Sequence, residues 1–178
     1  MSNFFKETDI DTSQAEAIVT ETLKNCDDGE LYLENHKSES IVLDDNKIKS
    51  STYNSDQGYG FRAVTGEVVA YSHSNDISKE SLRKSSENLK DTLKSKKGTY
   101  NHEIPKTNSK YYENINPIES KTFDSKIDLL NNVNNYLRSK GSIVNQVTAN
   151  FLGEHKSIEI IRSDNQVLKD DRPLVRFN

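Results

Sequence analysis

The chain has 178 residues, a formal net charge of −4, one cysteine and 32% hydrophobic residues, with a mean hydropathy of −0.85. An acidic balance excludes a generic nucleic-acid binder, whose footprint is a basic patch. The single thiol, Cys26, excludes an internal disulfide and a cysteine-based zinc site. The length predicts one domain, or one and a fraction. Typical globular chains are roughly 45–50% apolar with glycine included, so the core is thin, and completion by a larger body is expected. The strand and helix patterns are too regular for wholesale disorder. Met1–Ile10 is polar and acidic, and there is no apolar run of about 18 residues, so a soluble, cytoplasmic protein with no membrane partner is expected.

The first predicted helix covers Asp11–Asn25. Ala15, Ile18, Val19, Thr22 and Leu23 form one stripe, and Ser13 with Glu16 has capping-box spacing. Cys26 follows, with Asp27 and Asp28 beside it; acidic neighbours raise a thiol pKa, which favours a structural cysteine. Gly29 then releases the chain into a meander from Glu30 to Ser74. Its runs (Glu30–Glu34, Ser40–Leu43, Lys47–Tyr53, Asp56–Ser72) are rich in β-branched and aromatic residues and are separated by Asp, Asn and Gly, as in consecutive strands joined by tight turns. Leu31 and Leu33 share one face, as do Ile41 and Leu43, so one side of the sheet is buried and the other is open.

A second helix is predicted from Ser78 to about Lys97. Ser78 is the N-cap, Ile77 and Leu82 form a hydrophobic staple, and Leu82, Leu89 and Leu93 mark the buried side with Ser85 and Ser86 as small contacts. Lys94, Lys96 and Lys97 compensate the helix dipole, a blander role than phosphate binding. Gly98 to Lys121 has no period and reads as a long surface connection. Its Tyr111–Tyr112 pair is expected to pin it to its own domain, with docking on a partner as the alternative. A third helix runs from about Phe123 to Lys140 on a stripe of Phe123, Ile127, Leu130, Val133 or Asn134, and Leu137. Strands are predicted over Ser142–Leu152, Ser157–Arg162, Gln166–Lys169 and Pro173–Phe177, with turns at Gly153–Glu154 and Ser163–Asn165. The last of them stops in mid-pattern, which reads as a chain cut within a sheet.

The expected fold class is α+β. An N-terminal domain over residues 1–97 holds an antiparallel or mixed meander flanked by helices. A connecting loop covers 98–121, and residues 122–178 form a helix and the truncated start of a second β-rich region.

Constellations for catalysis are scarce. His36, His73, His102 and His155 never pair at helical spacing. His102–Glu103 resembles the start of a zinc-protease helix, but Pro105 follows and no second histidine arrives one turn later. Gly58-Tyr59-Gly60 is not a dinucleotide fingerprint, because a strand follows it; a bulge or a close backbone approach is the simpler role. Asp27–Asp28, Asp44–Asp45 and Asp170–Asp171 read as turn residues.

The segment Asp56-Gln57-Gly58-Tyr59-Gly60-Phe61-Arg62-Ala63-Val64-Thr65-Gly66-Glu67 is similar to a D-Q-G-x-G-x-R-A-x-x-G-E stretch in the N-terminal domain of the TldD/PmbA family, on the TldD side. Asn75–Ser78, Gln146–Ala149 and Asp171–Arg176 also fit, in the same order. The resemblance implies a cytoplasmic zinc metalloprotease that works as a dimer of TldD/PmbA-type subunits on unfolded peptides. Some members carry the label of modulator of DNA gyrase. The family's zinc ligands lie in an H-E-x-x-x-H helix and a distant cysteine. No position here matches them, so the resemblance transfers no catalytic residue, metal ligand or cofactor to this chain; zinc is expected only in the full-length protein. Gln57, Gly58, Gly60 and Arg62 are the candidate substrate-binding residues, because a glycine-bearing strand can grip an extended peptide through its backbone. The blander reading is that they only shape the turn and strand. The alternative to a peptidase subunit is a non-catalytic module that binds or regulates such a complex.

Overall fold

A computed structural model of the chain describes residues 4–6, 8–94, 98, 111–113, 115–164 and 166–178. The elements in order are α1 (Thr12–Leu23), β1 (Asp28–Asp44), β2 (Lys47–Thr65), β3 (Val68–Ser74), α2 (Lys79–Thr92), α3 (Phe123–Arg138), β4 (Thr148–Arg162) and β5 (Val167–Phe177). The strands form one open antiparallel sheet in the order β3-β2-β1-β4-β5, so the fold is α+β.

The helix starts follow local chemistry. α1 is capped by Asp11, two positions before the expected Ser13: Asp11 Oδ1 accepts from Gln14 N at 2.8 Å, and Gln14 Oε1 accepts from Asp11 N at 3.3 Å. This is a reciprocal box with Gln in place of Glu. α2 starts at the predicted cap, where Ser78 Oγ accepts from Ser81 N at 3.2 Å, and the staple residues Ile77 and Leu82 are both buried. Lys96 and Lys97 lie outside the described residues, as do His102, Glu103, Pro105 and Asn165.

Several predicted strands merge. The runs at Glu30–Glu34 and Ser40–Leu43 are one strand, and so are those at Lys47–Tyr53 and Asp56–Thr65. Polar residues between apolar runs suggest turns, but the ladder with an adjacent strand carries the backbone through them. The expected turn at Gly153–Glu154 is strand as well. A Cβ on Gly153 would sit 3.3 Å from Ile118, so this glycine makes room for a side chain and leaves the chain direction unchanged. Gln166–Lys169 and Pro173–Phe177 likewise form one strand. Arg162 N donates to Gln166 O at 3.0 Å, and Asn150 and Asn178 exchange both bonds at 2.8 and 2.9 Å. Even-numbered residues of β5 therefore bond to β4, and Pro173 turns its missing N–H to the free edge, where a ladder loses nothing. Asp170 and Asp171 lie inside this strand, which corrects their reading as turn residues.

The residues divide into two compact units. The first comprises Met1–Asn35, Asp56–Tyr111 and Ser157–Asp170. Its core joins Val19 and Leu23 of α1 to Leu31, Leu33, Phe61, Leu82 and Leu89. α2 meets the sheet through serines: Tyr59 Oη lies 2.8 Å from both Ser81 and Ser85 Oγ, and Ser72 Oγ donates to Ser85 Oγ at 2.9 Å. Thr22 and Ser86 join α1 to α2 at 2.6 Å.

The second unit comprises His36–Ser55, Tyr112–Lys156 and Asp171–Asn178. Leu130 of α3 packs with Ile41, Leu43, Ala149 and Phe151. The buried stripe of α3 is Lys126, Leu130 and Asn134, whereas Phe123 and Leu137 are exposed. This corrects the predicted apolar stripe. Leu130 is the apolar member of that stripe, and the buried residues one turn before and after it take polar partners. Lys126 Nζ bonds to the Glu39 carboxylate and donates to Ile118 O at 2.6 Å, and Asn134 donates to Asn46 Oδ1 at 2.6 Å. Tyr111 and Tyr112 do not pin the connection down: they are 81% and 58% exposed.

Candidate functional site

Strand period places Tyr59, Phe61 and Ala63 of β2 in the core and turns Gly58, Gly60 and Arg62 to the opposite face. β3 runs beside this stretch, with Gly60 opposite His73 and Arg62 opposite Tyr71. The Tyr71 ring lies across Gly60, where a Cβ would come 2.5 Å from Tyr71 Oη. Tyr71 also stacks on His73, with centroids 5.8 Å apart. An aromatic side chain laid over a cross-strand glycine protects the backbone that the glycine leaves bare. Gly58 serves a different neighbour: a Cβ there would meet the Ser74 carbonyl oxygen at 2.8 Å, where the chain leaves β3 for α2. Gln57 is exposed on the same strand.

Arg62 is held by two carboxylates. Its Nε donates to Glu30 Oε1 at 2.7 Å, and Nη2 donates to Asp28 Oδ2 at 2.6 Å and Glu30 Oε2 at 2.8 Å. Arg162 Nη2 reaches the other Asp28 oxygen at 2.7 Å. Asp28 and Glu30 stand two apart on β1 and so share a face. The bonds to Glu30, then those to Asp28, raise the Arg62 pKa still further against its partial burial. Burial pushes Asp28 up, but the Arg62 hydrogen bond and the two guanidinium charges outweigh it and hold the carboxyl below its ordinary range. Asp28 is thus a strand residue with two cationic partners, which corrects its turn reading. Asp27 keeps a turn role: its Oδ2 accepts from Gly66 N at 2.6 Å.

The four candidate residues lie within six positions of one strand. Two glycines face this chain's own groups, and the arginine belongs to a four-residue charge network. Sequence reasoning did not single out Tyr71, Glu30 or Arg162. The alternating acids at 28 and 30 were the available signal for the network, but their partners lie 32 and 134 positions away in the chain. In the same unit an open furrow of about 530 Å³ runs between α1 and α2, lined by Lys79, Arg83 and Lys90 against Glu21 and Glu87. It carries both signs of charge, and Lys90 already pairs with Glu21 at 3.4 Å.

The histidines among the described residues stand apart from one another. His36 Nε2 faces Glu154 at 3.6 Å, His155 Nε2 faces Asp171 at 3.9 Å, and His73 stacks on Tyr71. Burial, and to a smaller extent the Asp27 charge, raise the Cys26 thiol pKa, although the neighbouring Thr65 hydroxyl opposes them. Among the described residues no three His, Cys, Asp or Glu side chains are grouped to hold a metal. Among the described residues the donor set does not fit a zinc site.

Comparison with known proteins places the chain. Residues 29–94 match the family model for PmbA/TldA metallopeptidase domain 1, and residues 116–178 match that for the PmbA/TldA metallopeptidase central domain. The chain belongs to the PmbA/TldD family. It is 33% identical over 156 residues to a metalloprotease TldD homolog of Buchnera aphidicola from Acyrthosiphon pisum, covering 87% of this chain and 32% of that protein. Over 161 residues it is 32% identical to the TldD homolog of Haemophilus influenzae, covering 87% of this chain and 33% of the other. The chain thus spans about a third of the length of the curated relatives it matches. Among solved structures it superposes on a candidate modulator of a DNA gyrase from Thermotoga maritima with a TM-score of 0.70, at 13% identity over 84% of this chain and 34% of that one. TldE from Thermococcus kodakarensis gives a TM-score of 0.69 at 11% identity, over 92% of this chain and 38% of that one. These two likenesses concern the fold. No helix among the described residues is long and apolar enough to cross a membrane.

Proposed function

We propose that this PmbA/TldD family chain is the N-terminal part of a TldD-like metallopeptidase subunit, which supplies substrate-channel and subunit-interface surface to a cytoplasmic complex. The observation that carries the reading is the pair of family matches, domain 1 and then the central domain, in that order along one chain. The site chemistry agrees. A glycine-bearing strand, an aromatic cover and a neutralised charge network can hold and orient a polypeptide. None of them offers a free nucleophile or base for hydrolysis. In this reading the zinc and its ligands belong to other parts of the assembled enzyme, the partner is a PmbA-type subunit, and the substrate is an unfolded peptide.

The test is co-expression with a tagged PmbA-like subunit, followed by metal analysis and a peptide-cleavage assay. The chain is expected to co-purify with that subunit and, alone, to leave the peptide intact. Stoichiometric zinc together with cleavage by the isolated 178-residue chain would overturn the assignment. A non-catalytic regulatory module is the competing reading. It predicts no H-E-x-x-x-H segment in the DNA that follows the Asn178 codon.

A further inference from the structure

β3 begins its pairing with β2 only at Tyr59, so among the described residues no strand flanks the outer edge of β2 from Lys47 to Ser55. Every residue of that stretch is exposed. A polar strand that buries nothing is weakly specified by itself. Here three neighbours hold it. β1 carries the ladder on one side, and its Ile41 and Leu43 are anchored under Leu130. A tight turn with positive φ at Asp45 (49°) and Asn46 (67°) fixes the hairpin. α3 grips that turn, with Asn134 bonded to Asn46 and Arg138 bonded to the Asp45 carboxylate.

The edge offers the chemistry of the peptide group and little else. Ser50, Ser51, Thr52, Asn54 and Ser55 are small and polar. There is no apolar cluster to anchor a folded partner, and two lysines do not make a phosphate-binding stripe. The complement of a bare row of backbone N–H and C=O groups is another extended backbone. We infer that the outer edge of β2, residues 47–55, is a strand-addition site for an extended polypeptide, bound by main-chain hydrogen bonds with little side-chain preference. At about 3.4 Å per residue the edge is ~30 Å long, enough for a peptide of about eight residues. Tyr53 and Ile48, 55% and 38% exposed, can add side-chain contact. The inference rests on the proposed peptide-handling role for the source of its ligand. It moves the grip away from Gly58–Arg62, where β3 pairs from Tyr59 onward and Tyr71 lies over Gly60.

Hydrogen exchange read by mass spectrometry on the intact chain tests this directly. The probes are two synthetic peptides of about ten residues with one Ser/Thr/Val sequence, one of them N-methylated at all its central positions. The unmodified peptide should slow exchange at roughly half the amides of residues 47–55 by about tenfold or more. The N-methylated peptide should give no protection. Absence of protection at saturating peptide, or equal protection by both, overturns the site. Protection that grows with chain concentration without peptide also overturns it, because the occupant is then a second copy. Failure here with the PmbA-type subunit still co-purifying leaves the subunit role standing. Protection without co-purification removes that role and keeps the edge site.

Discussion

Gly58 and Gly60 sit two residues apart on the same strand, and their surroundings separate the cost of giving each a side chain. At Gly60 the obstructing atom is the far end of the Tyr71 side chain, which can swing into solvent because Tyr71 is 64% exposed. At Gly58 the obstruction is a backbone carbonyl, which moves only with the chain. Gly60→Ala should therefore fall within about 1 kcal/mol of the parent, since a less flexible unfolded chain offsets the lost ring contact. Gly58→Ala should cost about 1–3 kcal/mol, the range for overpacking. Urea denaturation of both variants gives the ranking, and the reverse order would contradict the close approach at Ser74. His155 provides a second test at this scale. Burial lowers its pKa below the ordinary value of 6.5, even though the Asp171 and Glu119 charges pull upward, with Lys37 also facing it. The unfolded chain then binds the proton more readily, so the contribution of neutral His155 is complete above about pH 6.5 and fades as pH falls below it. The urea midpoint should be lower at about pH 5.5 than at about pH 7.5, and His155→Gln should narrow that difference.

At the scale of elements, α3 shows how polar residues come to occupy a buried stripe. Lys126 is 5% exposed, its partner Glu39 is 8% exposed, and the ammonium also holds the Ile118 carbonyl of the connection that precedes the helix. The Phe151 ring lies 5.6 Å from the same nitrogen. Removing one member of such a pair strands the other in a low-dielectric site. Lys126→Met should cost about 3–5 kcal/mol, whereas Lys126→Met combined with Glu39→Leu should recover most of the loss. A double-mutant cycle by chemical denaturation measures this, and additive losses would show that the pair is not coupled. The same element explains why its apolar stripe was only partly legible. The 3.6-residue period identified a helix over nearly the right span, but the choice of buried face depended on partners such as Glu39 and Asn46, roughly 90 residues away. By contrast, the Ser78 cap and the Ile77–Leu82 staple of α2 were legible because each joins groups within five residues. The candidate site divides in the same way. Gly58, Gly60 and Arg62 were visible as unusual strand residues, while what they meet was not.

For the whole molecule, the thin apolar composition and the sheet edges belong together. Leu174, Val175 and Phe177 at the end of β5 are 53%, 54% and 40% exposed, beside an edge with no further strand among the described residues. Such an edge invites association. Leu174→Lys with Val175→Lys should raise the solubility of the isolated chain with little change in its melting temperature. Light scattering across a concentration series, with a parallel thermal melt, measures both. A large fall in melting temperature would mean that these side chains are structural within the chain itself.

The sequence by itself determined the helices, the N-cap of α2, the β-rich meander and the family, because each depends on neighbours within a few positions or on a motif in linear order. The tertiary structure decided which polar residues remain in strand, which face of α3 is buried, which carboxylates hold Arg62 and which stretch of β2 has no flanking strand among the described residues. Those outcomes depend on backbone and charge partners brought together from distant parts of the chain, and spacing along a sequence does not encode the energy of such meetings.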